Sequence, residues 1–268
     1  MNYRITGTGS CIPDITKKNS DFLENKFLDT DGGKFQTSNS EIIDKFNSIT
    51  GIYERRYAPD EINCSDLAAV AAGLAINDSK LDQETLDYII VAHNTGDISC
   101  SSGQVDTLPS VASKVKAKLK IKNPNCVAYD IICGCPGWVE GIIQAKSFIK
   151  SGMAEKCLVI GCDTLSRILD ENDRDSMIYA DGSGAIILES DNSYDGGILS
   201  HKSATFTYDG ENDFIFYGAS YDIKKRTKSD QKFIKMQGRK VYEFALKNVP
   251  LAMKSCFDEA DCKIEDLK

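Results

Sequence analysis

Residues 129–138 read Tyr-Asp-Ile-Ile-Cys-Gly-Cys-Pro-Gly-Trp, and this order sets a thiol where a thiol can react. The apolar run over 126–132 has the character of a buried strand. It breaks at Gly134. A helical repeat then runs over 137–151, with Trp138, Val139, Ile142, Ile143, Phe148 and Ile149 on one side. Cys135 therefore falls at a strand-to-helix elbow. The unpaired N–H groups and the positive dipole end of a helix start favour a thiolate, and Pro136 suits a first turn that needs no N–H. A sulfur so placed is a candidate nucleophile; a cysteine that only packs is the competing reading. Cys133, two residues earlier, is expected to end the strand and point inward. The C-x-C spacing of the pair is not the C-x-x-C of a redox site.

The elements that must hold this elbow are legible on either side of it. Strand patterns at 3–9, 88–92, 126–132 and 157–161 alternate with helices at 66–77, capped by Ser65, at 109–119, opened by Pro109, and at 137–151. A helix with a Ser or Asn cap covers 39–47 within an otherwise polar and mixed stretch over 17–50. Residues 93–108 form a loop, and 177–188 read as two short strands around Asp181-Gly182-Ser183-Gly184. After Asp195-Gly196-Gly197 the pattern restarts, with a strand at 198–206 and a long helix at 236–257 that Pro250 should kink. Alternating strands and helices imply an α/β fold with a partly parallel sheet. The elbow strand is expected at its centre, with Cys135 at the carboxyl edge, where crevices form in such sheets. Residues 256–268 echo 75–87, the mark of an internal duplication.

Composition narrows the classes of function. At 268 residues the chain holds one large domain or two fused halves, and its net charge of −8 argues against general nucleic-acid binding. The densest basic stretch, Lys224, Lys225, Arg226, Lys228 and Lys232, is either a local docking patch for an acidic partner or a solvated loop. No apolar run is long enough for a membrane span, and no secretory signal is apparent. Ten scattered cysteines fit a reducing cytoplasm, and two histidines, His93 and His201, make a zinc site an unpromising reading.

The elbow Cys135-Pro136-Gly137-Trp138 resembles the Cys-Ala-Gly-Phe elbow of the ketoacyl-ACP synthase III family, within the thiolase superfamily. The resemblance continues in order along the chain. Gly7-Thr8-Gly9-Ser10-Cys11-Ile12-Pro13 resembles the family's opening strand and turn, and Thr50-Gly51-Ile52-Tyr53-Glu54-Arg55-Arg56 its Thr-Gly-Ile-x-x-Arg segment. Asp181-Gly182-Ser183-Gly184-Ala185 resembles its Gly-Asp-Gly-Ala-Gly turn, and Met236-Gln237-Gly238 the Met-x-Gly that opens a late helix. The resemblance implies a thiolase-like α/β fold of duplicated βαβ halves with layered mixed sheets. Residues 1–195 would be the half that carries the cysteine, and 196–268 the start of a second, incomplete half.

It also implies an activity. Cys135 would take an acyl group from acyl-CoA or acyl-ACP, without cofactor or metal, and malonyl-ACP would lose CO2 to an enolate that attacks the acyl-cysteine, giving a 3-oxoacyl-ACP in fatty acid or related secondary-metabolite synthesis. Acyl carrier protein would be a partner, and the protein a cytoplasmic homodimer. By the same resemblance Arg167 contacts CoA, Met236 and Gly238 flank the pantetheine tunnel, and Leu108 enters the neighbouring subunit's acyl pocket. His93 and Asn94 are possible supporting residues behind the site. The chain departs from the family at Lys45 and Ile49, where a CoA-stacking tryptophan and an arginine belong, and at Glu243, where a carrier-docking lysine belongs. The family's enolate-stabilising histidine and asparagine would follow Lys268, so this stretch is expected to be a truncated form that does not catalyse condensation. Two other readings are an acyltransferase to oxygen or nitrogen on the same fold, and a non-catalytic acyl-binding subunit of a heterodimer.

Overall fold

The computed structural model describes residues 2–226 and 230–266; Lys228 of the basic stretch, and Leu267 and Lys268 of the echo, lie outside the described residues. The strands and helices in chain order are β1 (Tyr3–Cys11), β2 (Ile15–Lys18), α1 (Asn39–Thr50), β3 (Glu54–Tyr57), α2 (Cys64–Ser79), β4 (Tyr88–His93), β5 (Asp97–Ile98) and β6 (Val105–Asp106). They continue with α3 (Val111–Lys118), β7 (Val127–Ile132), α4 (Gly137–Ser151), β8 (Lys156–Thr164), β9 (Asp181–Ser190), β10 (Ile215–Gly218), α5 (Ile223–Arg226), β11 (Phe233–Met236) and α6 (Gly238–Ala260). They fall into two compact units, one of Met1–Lys18, Ile52–Arg167 and Tyr179–Gly197, the other of Asn19–Gly51, Ile168–Ile178 and Ile198–Lys268. These units are defined by compactness, and so differ in kind from the repeated halves expected at 1–195 and 196–268.

The first unit is built on a five-stranded mixed sheet in the order β1-β9-β8-β4-β7. β4 runs parallel to both β7 and β8, and the sheet is continued antiparallel through β9 to β1. The central strand is thus β8, whose Leu158, Val159 and Ile160 are fully buried. β7, expected at the centre, is an edge strand: Val127 is 46 % and Ile132 71 % exposed. An apolar run marks a strand but not its place in the sheet, which pairing decides.

Several boundaries are corrected in the same way. α2 starts one residue before Ser65; the Asn63 N–H donates to Asp66 at its first turn, while Ser65 donates its N–H and hydroxyl to Asp97. α3 starts at Val111 with Ser110 accepting from the Ser113 N–H, so Pro109 precedes the helix instead of opening it. Residues 97–98 and 105–106 pair as a short hairpin inside the expected loop. β9 is one continuous strand where two were expected, because Gly182, Ser183 and Gly184 stay extended and pair with β8.

In the second unit, Phe22, Phe27, Ile42, Ile43 and Met177 form a small core. α1 is capped by Ser38, whose N–H donates to Glu41 while its hydroxyl accepts from the Glu41 N–H. β10 and β11 pair antiparallel, and α6 follows with Pro250 inside it. The strand expected over 198–206 does not form; the stretch pairs with no strand among the described residues, and all of it but Ile198 and Ser200 is exposed. On β11, Lys235 is buried and its Nζ donates to Asp170 at 2.6 Å and Asp173 at 3.2 Å, with the Tyr221 ring 3.5 Å away. Within the basic stretch, Lys225 is paired with Glu171, and Arg226 donates to the Ser220 and Thr30 carbonyls, so two of these cations hold the unit's own loops.

Candidate active site

The parallel strands β4, β7 and β8 end together, and their carboxyl ends carry the elbow. After Ile132 the chain turns through Gly134, whose φ of +63° lies in the left-handed region that glycine adopts without strain. The Gly137 N–H closes the turn on the Gly134 carbonyl at 3.0 Å, and α4 begins at Gly137. Cys135 sits between these points, exposed, as the sequence places it. Cys133 is exposed too and does not pack inward, following the last residue of an edge strand.

α4 lies close on the sheet because glycines leave it room. A Cβ on Gly141 would come 2.8 Å from Val159 Cγ1, and one on Gly161 would come 3.1 Å from the Trp138 Cβ. Trp138 therefore lies over Gly161 of β8 and forms one wall of a cavity of about 290 Å³, lined also by Cys135, Cys162, Asp163 and Ser183. Gly184, on β9, faces open space and widens it. The Gly-rich stretch that looked like a turn thus serves as a strand whose glycines at 182 and 184 leave the cavity open.

Asp163 introduces a carboxyl at this wall. Asn94 holds it with both its backbone N–H, at 2.8 Å, and its side-chain Nδ2, at 2.6 Å. Burial pushes the Asp163 carboxyl above its ordinary range, and the Asn94 bonds only partly oppose this. The sequence offered one signal for Asp163, a lone acid inside an otherwise apolar strand; its partner 69 residues away was not readable. Asn94 is thus placed behind the cavity wall. His93 is not among the lining residues: it is buried, and its Nε2 lies 3.0 Å from Asp130 Oδ2. Asp130 also accepts the Val111 and Ala112 N–H groups, both at 2.8 Å, at the start of α3.

The remaining candidates are dispersed. Leu108 is 87 % exposed, just before the start of α3. Arg167 is turned into its own unit, where its guanidinium bonds Asp60 and the carbonyls of Ala58, Pro59 and Ile62. Met236 and Gly238 lie in the second unit, at the end of β11 and the start of α6, and His201 is exposed there. Among the described residues no cluster of three or more His, Cys, Asp or Glu could hold a metal, and no helix is long and apolar enough to cross a membrane.

The same arrangement of strands and helices is found in known structures. The chain superposes with 3-oxoacyl-[acyl-carrier-protein] synthase III from Aquifex aeolicus VF5 at a TM-score of 0.75 and 28% identity, over 99% of this chain and 74% of that one. With the 3-oxoacyl-(acyl carrier protein) synthase III of Pseudomonas aeruginosa PAO1 the TM-score is 0.77 at 26% identity, over 100% of this chain and 74% of the other. The fold is of the thiolase type. In sequence, residues 129–206 match the family model for 3-oxoacyl-[acyl-carrier-protein (ACP)] synthase III. The chain is 34% identical to beta-ketoacyl-[acyl-carrier-protein] synthase III 1 of Vibrio parahaemolyticus over all of its own length and 75% of the relative's. It is 35% identical to the corresponding Clostridium acetobutylicum synthase over 99% of this chain and 74% of that one. The chain belongs to the beta-ketoacyl-ACP synthase III family.

Proposed function

We propose that this protein is an acyltransferase that joins an acyl thioester to malonyl-ACP by decarboxylative Claisen condensation, giving a 3-oxoacyl-ACP, with Cys135 as the acylated residue. The observation that carries the assignment to Cys135 is its position: exposed, at the start of α4 and on the wall of the cavity. Its thiolate attacks the thioester carbonyl, the new C–S bond forms, and the donor thiol leaves with a proton. Malonyl-ACP then loses CO2, and the resulting enolate carbon attacks the acyl-cysteine and releases the Cys135 sulfur. The lining residues serve the first of these steps; no histidine is among them, and we assign enolate stabilisation to none of the described residues. Acyl carrier protein is accordingly the proposed partner, and acyl-CoA or acyl-ACP the donor. Leu108, Met236, Gly238 and Arg167 are proposed substrate contacts on the family resemblance alone, and Arg167 would have to give up bonds to the 58–62 segment to serve.

A homodimer is part of the same proposal. It is supported by β7, an edge strand with exposed Val127 and Ile132 and so an open row of backbone donors and acceptors. A cytoplasmic location is supported by ten unpaired cysteines.

The test is to incubate the protein with an acyl thioester and map the adduct by mass spectrometry. The acyl group should be found on Cys135, be lost in Cys135→Ala and persist in Cys133→Ala. An adduct on Cys133, or undiminished labelling of Cys135→Ala, overturns the assignment. Formation of 3-oxoacyl-ACP from malonyl-ACP then tests the condensation itself.

A further inference from the structure

The cavity wall carries a second sulfur. Cys162, on β8, lines the cavity with 4 % of its surface exposed, and behind it lies Cys64, the first residue of α2, with none exposed. Their Sγ atoms are 2.8 Å apart, and both are free thiols. They stand 98 residues apart in the chain, which is why no spacing in the sequence joins them. The hydrogen bond to Cys162, reinforced by burial, pushes the Cys64 thiol well above its ordinary range, so Cys64 keeps its proton. The outer sulfur thus stands at the cavity wall while the inner one keeps a proton to give. A shift of less than an ångström takes the pair to the roughly 2.05 Å of a disulfide.

We propose that Cys64 and Cys162 form a redox-active pair that a peroxide, entering through the Cys135 cavity, converts to a disulfide. In the first step the Cys162 sulfur attacks one peroxide oxygen. The S–O bond forms, the O–O bond breaks, and the departing oxygen leaves as water with the Cys162 proton. In the second step the Cys64 sulfur attacks the Cys162 sulfenic acid. The S–S bond forms, the S–O bond breaks, and the hydroxyl leaves as water with the Cys64 proton. Two thiols are oxidised by two electrons, the peroxide is reduced, and two waters leave. The disulfide ties the first turn of α2 to β8 and draws the Cys162 sulfur back from the cavity. This goes beyond the condensation and does not depend on it.

The test uses the full chain with Cys135→Ala, so that the exposed thiol on the cavity wall does not consume the oxidant. The folded protein is treated with hydrogen peroxide, quenched in acid, blocked with N-ethylmaleimide under denaturing conditions, digested and mapped. A peptide pair linking Cys64 to Cys162 should appear, reverse with dithiothreitol, and be absent when Cys64→Ala or Cys64→Ser is added. It should form at least about tenfold faster than Cys157 is lost, since Cys157 is as buried as Cys64 but is not next to the lining of this cavity as Cys64 is through Cys162. Full maleimide blocking of both cysteines after peroxide overturns the proposal. So does oxidation of Cys162 to sulfinic acid with no linked peptide, or loss of Cys157 at the same rate.

Discussion

A single methyl group added at Gly141 tests how closely α4 must sit on the sheet. Alanine is the better helix former by about 1 kcal/mol, but the new Cβ would stand 2.8 Å from Val159 Cγ1, in a fully buried layer. Overpacking of that kind costs about 1–3 kcal/mol and outweighs the propensity. Gly141→Ala should therefore unfold at lower urea than the wild type and lose Cys135 acylation rate, because α4 carries the elbow. Asp175, in the second unit, gives a residue-scale prediction of opposite sign. Burial, and then the charge of Asp173, push its carboxyl up to about 6 against the pull of Arg174 and Lys235. A raised folded pKa favours the native state below the unfolded value near 4, and that contribution is lost as pH rises to 6. Asp175→Asn should therefore raise the melting temperature at pH 7.5 and lose this advantage below about pH 4; an equal gain at both pH values would show that the charge is not the cause. Cys135 could be read from the sequence because everything that defines it lies within ten residues. Asp163 with Asn94, and Cys64 with Cys162, could not, because each pair is made by the sheet bringing together residues 69 and 98 positions apart.

At the scale of elements, the junction of β4, β7 and α3 rests on one carboxylate. Asp130 on β7 accepts two N–H groups from the first turn of α3 and faces His93 at the end of β4. Burial alone would raise its carboxyl, but the His93 bond and the two N–H donors outweigh this and hold it below the usual range. With the folded value depressed, the contribution to stability is present above the unfolded value near 4 and is lost as pH falls through the folded one. Asp130→Asn should cost on the order of 2 kcal/mol at pH 7, with the gap from wild type closing in the acid range; urea titrations at pH 7 and at pH 3 measure it. The loop before Leu108 enters α3 at this point, so the variant should also change acyl-chain preference more than Cys133→Ala does. Helices were the legible elements: α4 has the bounds that its apolar stripe gives, and α1 extends three residues past its expected end. Strands were less so. β7 was read as central, β9 as two pieces and 198–206 as a strand, since a strand is defined by partners that a local pattern does not contain.

For the whole molecule, the open edge at β7 bears on assembly. Sedimentation at micromolar concentration should show a dimer, and Ile132→Lys, which sets a charge on that edge, should shift it toward monomer while leaving the circular dichroism unchanged. A monomeric wild type would remove the dimer from the proposal. The parallel α/β character was legible from alternation alone, whereas the antiparallel return through β9 to β1 was not, because nothing near residues 3–11 announces a partner at the far end of the unit. That return also governs how the chain is made. β1 is made long before β9, its one pairing partner among the described residues, with Arg4 lying opposite Glu189. At about 5–20 residues per second, a ribosome takes roughly 10–40 s to supply the partner. By the end of that interval β4, β7 and β8 have one another while β1 is still an unpaired strand. Residues 3–11 are thus where a holding chaperone has a long opportunity to bind.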